Sequence, residues 1–181
     1  MSDISQDSAF ALLVRMQEEA RLRAPGLPEQ TQAAPLWTGL GLRLAGLPLL
    51  VSLDQIAEVL VRPDVTPVPG TKRWVKGIAN VRGILVTVID LAEYFGKPPV
   101  PADDRARMLV INVGEFSTGL LVDEVLGLKH FDAEQDRRDI AGLDNALLMH
   151  VQAAFMQDGV LWGVFDLRSL TESLTFKHVA A

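Results

Sequence analysis

The residues of this chain that are able to do chemistry are few, and their spacing argues against each reaction in turn. Three histidines, His130, His150 and His178, are scattered, and none falls in an H-E-x-x-H pattern that would hold a metal. Asp123 and Glu124 are neighbouring carboxylates of the kind used in acid–base catalysis. On a strand, however, adjacent side chains project to opposite faces, so a turn or strand-end role is expected for them. Gly70, Thr71 and Lys72 match only the end of a phosphate loop, and Pro67 and Pro69 before them favour an irregular connection. No G-x-S-x-G elbow activates a serine, and with no cysteine in the chain there is no thiolate nucleophile, disulfide or Cys-based zinc site. The sequence therefore implies a protein that binds rather than transforms, with no cofactor.

The polar residue that asks for an explanation is Arg82. It sits in the turn Asn80-Val81-Arg82-Gly83, where two apolar runs meet within WVKGIANVRGILVTVIDL, residues 74 to 91. A long cation flanked by apolar strands and a glycine has no evident packing duty. Either it pairs inside the fold, with Glu58 as the candidate, or it presents its fork of donors to a partner. Gly77 and Gly83 are expected where a tight turn or a close strand crossing excludes a side chain.

These residues must be positioned by short elements. Apolar segments of strand length run over 39–44, 47–53, 65–68, 76–81, 84–91, 108–113, 116–122 and 160–165, with Ala45-Gly46 and Gly114-Glu115 placed for hairpin turns. The pattern predicts a mainly β, antiparallel architecture. Upstream, Phe10, Leu13, Val14 and Ala20 lie near one face of a helix capped by Asp7 or Ser8 and running to about Arg23. Pro25, Gly26 and Pro28 end it, and a linker leads to Trp37. The expected division is an N-terminal helix and linker over 1–36 and a β domain over 37–176. Within that domain the sequence repeats. The stretch around Asp54 resembles that around Asp123 at a spacing of 69, and Asn80 to Leu91 resembles Gln157 to Leu167, setting Asp90 beside Asp166 at a spacing of 76. Two similar small barrels are predicted, each ending in a short helix after its Asp-Leu, at 92–95 and 168–174.

The 181 residues are 49% hydrophobic, enough for a substantial core. A net charge of -6 disfavours binding to phosphate backbones, which requires clustered Lys and Arg. The longest apolar runs fall far short of the ~20 residues needed to span a bilayer, and the acidic start lacks the pattern of an export signal. A cytoplasmic protein without membrane insertion is expected. A nucleic-acid-binding double barrel and a small carboxylate-based hydrolase are the alternatives from other classes. The first would need a basic face, the second a turnover lost with one carboxylate.

The 74–91 stretch resembles the most recognisable segment of the CheW family of chemotaxis coupling proteins. LLVSLDQIAEVL before it, GLLVDEVLGL after it and FDLRSL near the C-terminus follow in family order, over about Trp37 to Leu174. The leading helix and the wording WVKGIANVRG are most similar to the PilI type, which serves chemosensory systems of type IV pili and twitching motility. The resemblance implies two five-stranded, SH3-like barrels and a short C-terminal helix. It also implies a non-enzymatic scaffold gripping the regulatory domain of a CheA-type histidine kinase and the cytoplasmic tip of a methyl-accepting chemoreceptor, so that the protein would be recruited to membrane-associated arrays. The receptor-facing groove would lie between the barrels, at positions matching Ile56, Glu58, Gly77 and Arg82, with Lys76 and Asn80 as weaker candidates. The kinase-facing surfaces would be barrel exteriors, with the segment around Val65 to Val68 as a candidate.

Overall fold

A computed structural model describes residues 36–113, 116–140, 147 and 149–179; the expected N-terminal helix and the 1–36 segment, apart from Leu36, lie outside them. The chain is mainly β. Its strands are β1 (Leu36–Leu44), β2 (Leu47–Ser52), β3 (Glu58–Val61), β4 (Val75–Val81), β5 (Ile84–Asp90), β6 (Arg107–Val113), β7 (Phe116–Val122), β8 (Glu124–Asp132), β9 (Arg137–Arg138), β10 (Val151–Gln157) and β11 (Val160–Phe165). Short helices α1 (Leu91–Tyr94), α2 (Leu167–Glu172) and α3 (Leu174–Lys177) follow β5 and β11, and a 3-10 turn, Leu53–Gln55, follows β2.

Two sheets result. One has six strands in the order β8-β1-β2-β11-β10-β9, the other five in the order β3-β6-β7-β5-β4. The two-barrel expectation holds, with the tiny β9 as a sixth strand in one lobe. The sequence repeats, however, are not the lobes. The first hairpin of each half joins the later strands of the other half, so β1 and β2 pair with β8 and β11, while β6 and β7 pair with β3 and β5. The registers show that the repeat is real. Phe165 pairs with Val51 in the parallel β11–β2 ladder, and Ile89 pairs with Leu120 in the parallel β5–β7 ladder. These two pairs coincide when the spacings of 69 and 76 are applied. The matched aspartates also serve alike. Asp90 caps α1 by accepting from Glu93 N–H, and Asp166 caps α2 by accepting from Arg168 N–H.

One core runs through both lobes, joining Leu42, Leu44 and Phe165 of the six-stranded sheet to Val88, Met108 and Leu120 of the five-stranded one. A second cluster, Leu50, Phe131, Phe155 and Trp162, fills the six-stranded lobe. The hairpins that lead the chain back use two-residue loops with positive φ at both positions: Ala45-Gly46, Arg82-Gly83 and Asp158-Gly159. That is the type I′ signature, whose twist matches the strands it joins.

The segment 65–68 is not a strand. Pro63 and Pro67 remove donors on either side, and only Thr66 pairs, through two 2.9 Å backbone hydrogen bonds with Ile78. This single bridge links the chain beyond β3 to the opposite edge strand β4 and closes the five-stranded barrel. Gly77 stands at the bulge beside it with φ of +135°, and a Cβ there would come within 2.0 Å of the Thr66 carbonyl oxygen.

Candidate functional site

The 3-10 turn after β2 carries the chain across from one sheet to the other, and this crossover borders a cavity of about 260 Å³. Ile56 and Ala57 form one wall, Ile111 and Asn112 of β6 the floor, and Leu167 and Arg168 of α2 the far wall. The groove thus lies between the lobes, with Ile111 and Leu167 buried beneath it and Asp54, Gln55, Asn112 and Arg168 giving it a mainly polar lining. Gln55 holds its walls together. Its amide donates to Asp166 Oδ1 at 3.0 Å, and its carbonyl accepts from Leu167 N–H at 2.8 Å. Above it, Arg168 Nη2 meets Asp54 Oδ2 at 2.6 Å. Hydrogen bonding from the Ser52 side chain, with the Arg168 charge adding to it, holds the Asp54 carboxyl below its ordinary range.

Ala57 and Asn112 also border a second depression, of about 170 Å³, which therefore continues the first. Its rim holds the answer to the arginine in the turn. Arg82 Nη2 lies 2.5 Å from Glu58 Oε1, with the guanidinium side chain 77% exposed and the carboxylate side chain 26% exposed. The pair joins the β4–β5 turn to β3, across the same barrel seam that Thr66 and Ile78 close further along. Arg82 adopts φ of +52°, a conformation uncommon outside glycine. The turn is held by Asn80 Oδ1, which accepts from Gly83 N–H at 2.8 Å. Both readings of Arg82 are physically compatible. It has an internal partner, yet its head remains open to solvent beside exposed Ile84.

The other candidates separate. Ile56 and Glu58 line the continuous groove. Gly77 is buried against Thr66, where the close approach leaves no room for a side chain. Lys76 turns to the buried side of α1, where it pairs with Glu93 and lies 3.8 Å from Asp90 Oδ2. Asp90 is wholly buried, its second oxygen accepting from Val100 N–H at 3.0 Å, so Lys76 compensates a charge that burial would otherwise penalise. Asp123 and Glu124 take the expected strand-end role, accepting from Gly46 N–H and pairing with Arg43.

His150 lies outside the groove, its ring centroid 5.9 Å from those of both Phe95 and Phe165 and its Nδ1 2.9 Å from Ser169 Oγ. Burial lowers its pKa, with Asp166 acting weakly the other way. A histidine whose folded pKa lies below the unfolded one contributes stability above the unfolded pKa, about 6.5, that is lost as pH falls below it. The melting temperature should therefore drop between pH 7.5 and 5.5, and His150→Gln should flatten that decline. Coincident slopes for wild type and variant would refute the assignment.

Sequence reasoning missed Asp54, Gln55, Asn112 and Arg168 as site residues. The repeat matches Asp54 with Asp123 and Asp166 with Asp90, but nothing local shows that the crossover and α2 meet.

Comparison with known proteins places this geometry in context. A family profile described as a CheW-like domain matches residues 38–175. Protein PilI of Pseudomonas aeruginosa is 36% identical over 180 residues, covering 99% of each chain. Chemotaxis protein CheW of Thermotoga maritima is 28% identical over 132 residues, covering 72% of this chain and 84% of its own. The crystal structure of the scaffolding protein TtCheW from Thermoanaerobacter tengcongensis superposes with a TM-score of 0.65 at 22% identity, covering 76% of this chain and 94% of its own, and so supports the fold.

Proposed function

This chain belongs to the CheW-like family, and from that premise we propose that it is a non-enzymatic adaptor coupling a chemoreceptor to a CheA-type histidine kinase. The similarity to PilI along essentially the whole chain favours a chemosensory system that governs type IV pili and twitching motility. The observation that carries the reading is the inter-lobe groove, polar along Asp54, Gln55, Asn112 and Arg168 and apolar in its continuation along Val81, Ile84 and Val110 at the Glu58–Arg82 rim. Such a groove suits an amphipathic helix, whose apolar stripe would lie on the Val81–Ile84–Val110 part while its polar flank meets the Asp54–Arg168 part. The cytoplasmic tip of a receptor is a hairpin of that kind. The kinase regulatory domain would take a barrel exterior, leaving the groove free, and the neighbourhood of Val65 to Val68 is the candidate there. Among the described residues no helix is long and apolar enough to cross a membrane, so recruitment to a receptor array would come through the partners.

The test is reconstitution. The full chain, a receptor-tip hairpin fragment and the kinase regulatory domain, mixed and resolved by size-exclusion chromatography with light scattering, should give both pairwise complexes and a ternary one. Failure of the chain to bind either partner would overturn the proposal.

A further inference from the structure

Two ion pairs with exposed arginines flank the shared wall of Ala57 and Asn112: Arg82 with the half-buried Glu58 on one side and Arg168 with Asp54 on the other. In each the arginine is the more exposed member, at 77% against 26% and at 68% against 59%. We infer that Arg168 is a specificity-determining residue of the groove, which releases Asp54 to take a carboxylate from the partner helix, so that the groove selects a helix with acidic side chains flanking its apolar stripe.

The inference rests on the groove being the receptor site, but its evidence is separate. An exposed pair contributes little, so opening it costs little, whereas the same guanidinium covered by a docked helix makes a stronger, desolvated contact. Asp54 is not stranded by the exchange, because its side chain is 59% exposed and water can replace the guanidinium. Arg168 brings a planar fork of five donors suited to bidentate carboxylate recognition. Its backbone is fixed for the purpose: Arg168 N–H donates to Asp166 Oδ1 at 3.0 Å, and Gln55 binds that same oxygen. The other carboxylate of the neighbourhood, Asp166, is occupied by Gln55, Gln152 and the α2 backbone.

The signs of two single variants of the full chain decide the matter. Binding to the receptor-tip hairpin fragment is measured by isothermal titration, with thermal melting in parallel. Arg168→Ala should weaken binding about tenfold or more, and Arg168→Lys should weaken it less, because it keeps the charge and loses the fork. Asp54→Ala should raise affinity, since it removes the competitor for Arg168. If the pair served structure only, both alanine variants would weaken binding and lower melting together, and that result overturns the inference. So does an Arg168→Ala affinity within twofold of wild type. Wild-type protein that fails to bind the fragment sinks the functional reading and this inference with it. Binding lost in Arg82→Asp but kept in Arg168→Ala sinks this inference alone.

Discussion

Replacing Gly77 with alanine should lower the melting temperature by roughly 10 °C, the largest stability effect expected from adding a single methyl group to this domain. The new Cβ would meet the Thr66–Pro67 backbone, at 2.0 Å from the Thr66 oxygen, 2.6 Å from its carbon and 2.8 Å from Pro67 Cα. No side-chain rotation relieves such contacts, so the strand crossing must open and the two Thr66–Ile78 hydrogen bonds are lost. Those bonds contribute about 1 kcal/mol each, and the left-handed backbone strain adds about 1–3 kcal/mol. A total near 4 kcal/mol corresponds to about 8–16 °C for a domain of this size. Gly83 supplies the control. It also has positive φ, +87°, but a Cβ there meets nothing within 4 Å. Gly83→Ala should therefore cost only the conformational part, about 1–2 kcal/mol. Equal melting temperatures for the two variants would show that the crossing at Gly77 is not the constraint.

Such steric facts mark the boundary of what the sequence discloses. The strands that could be read directly are those whose apolar residues face a core and whose ends carry glycine turns, such as Val75–Val81 and Ile84–Asp90. β3 does not stand out as a strand in the sequence, because Val59 and Val61 point outward to solvent and four residues give too short a period to register. β8 was hidden by the bulge at Gly127, where the register shifts opposite Gly41 and Leu42, and by its polar tail of Lys129 and His130. At 65–68 the reverse holds: a short run interrupted by Pro67 reads as a strand and supplies one bridge. The exchange of hairpins between lobes depends on long-range parallel ladders, β2–β11 and β5–β7, which no local pattern encodes. Even so, the spacings of 69 and 76 already contained the register, because equivalent residues of the two halves occupy equivalent rungs.

The site divides in the same way. Arg82 stood out because its chemistry was wrong for its surroundings, and its pairing with Glu58 was one of the two expected outcomes. Lys76 and Asn80 belonged to the same motif, but their side chains serve the fold, one toward Glu93 and the other toward the Gly83 amide. Arg168 lies 114 positions from Asp54 in sequence, so their meeting is purely tertiary.

Charge reversal at Arg82 is expected to have the largest functional effect, and the Glu58 pair makes the experiment sharper than a single substitution would be. Arg82→Asp sets a carboxylate near Glu58, yet an exposed pair contributes only about 0.2–1 kcal/mol. Aspartate also tolerates the left-handed backbone of this turn better than arginine. Melting should therefore fall by no more than about 4 °C. Binding to the receptor tip should fall much further. Removing one member of a charge pair that is buried in a complex costs about 2–5 kcal/mol, more than tenfold in affinity. The exchanged double variant, Glu58→Arg with Arg82→Glu, separates the two roles of the side chain. It rebuilds the internal ion pair with its polarity inverted and so should melt close to wild type, while presenting the wrong charge outward from the turn. If binding returns along with stability, Arg82 acts only by closing the barrel seam between β3 and the β4–β5 hairpin. If stability returns and binding does not, the guanidinium is read directly by the partner, and the pair with Glu58 is the arrangement in which the free protein holds it ready.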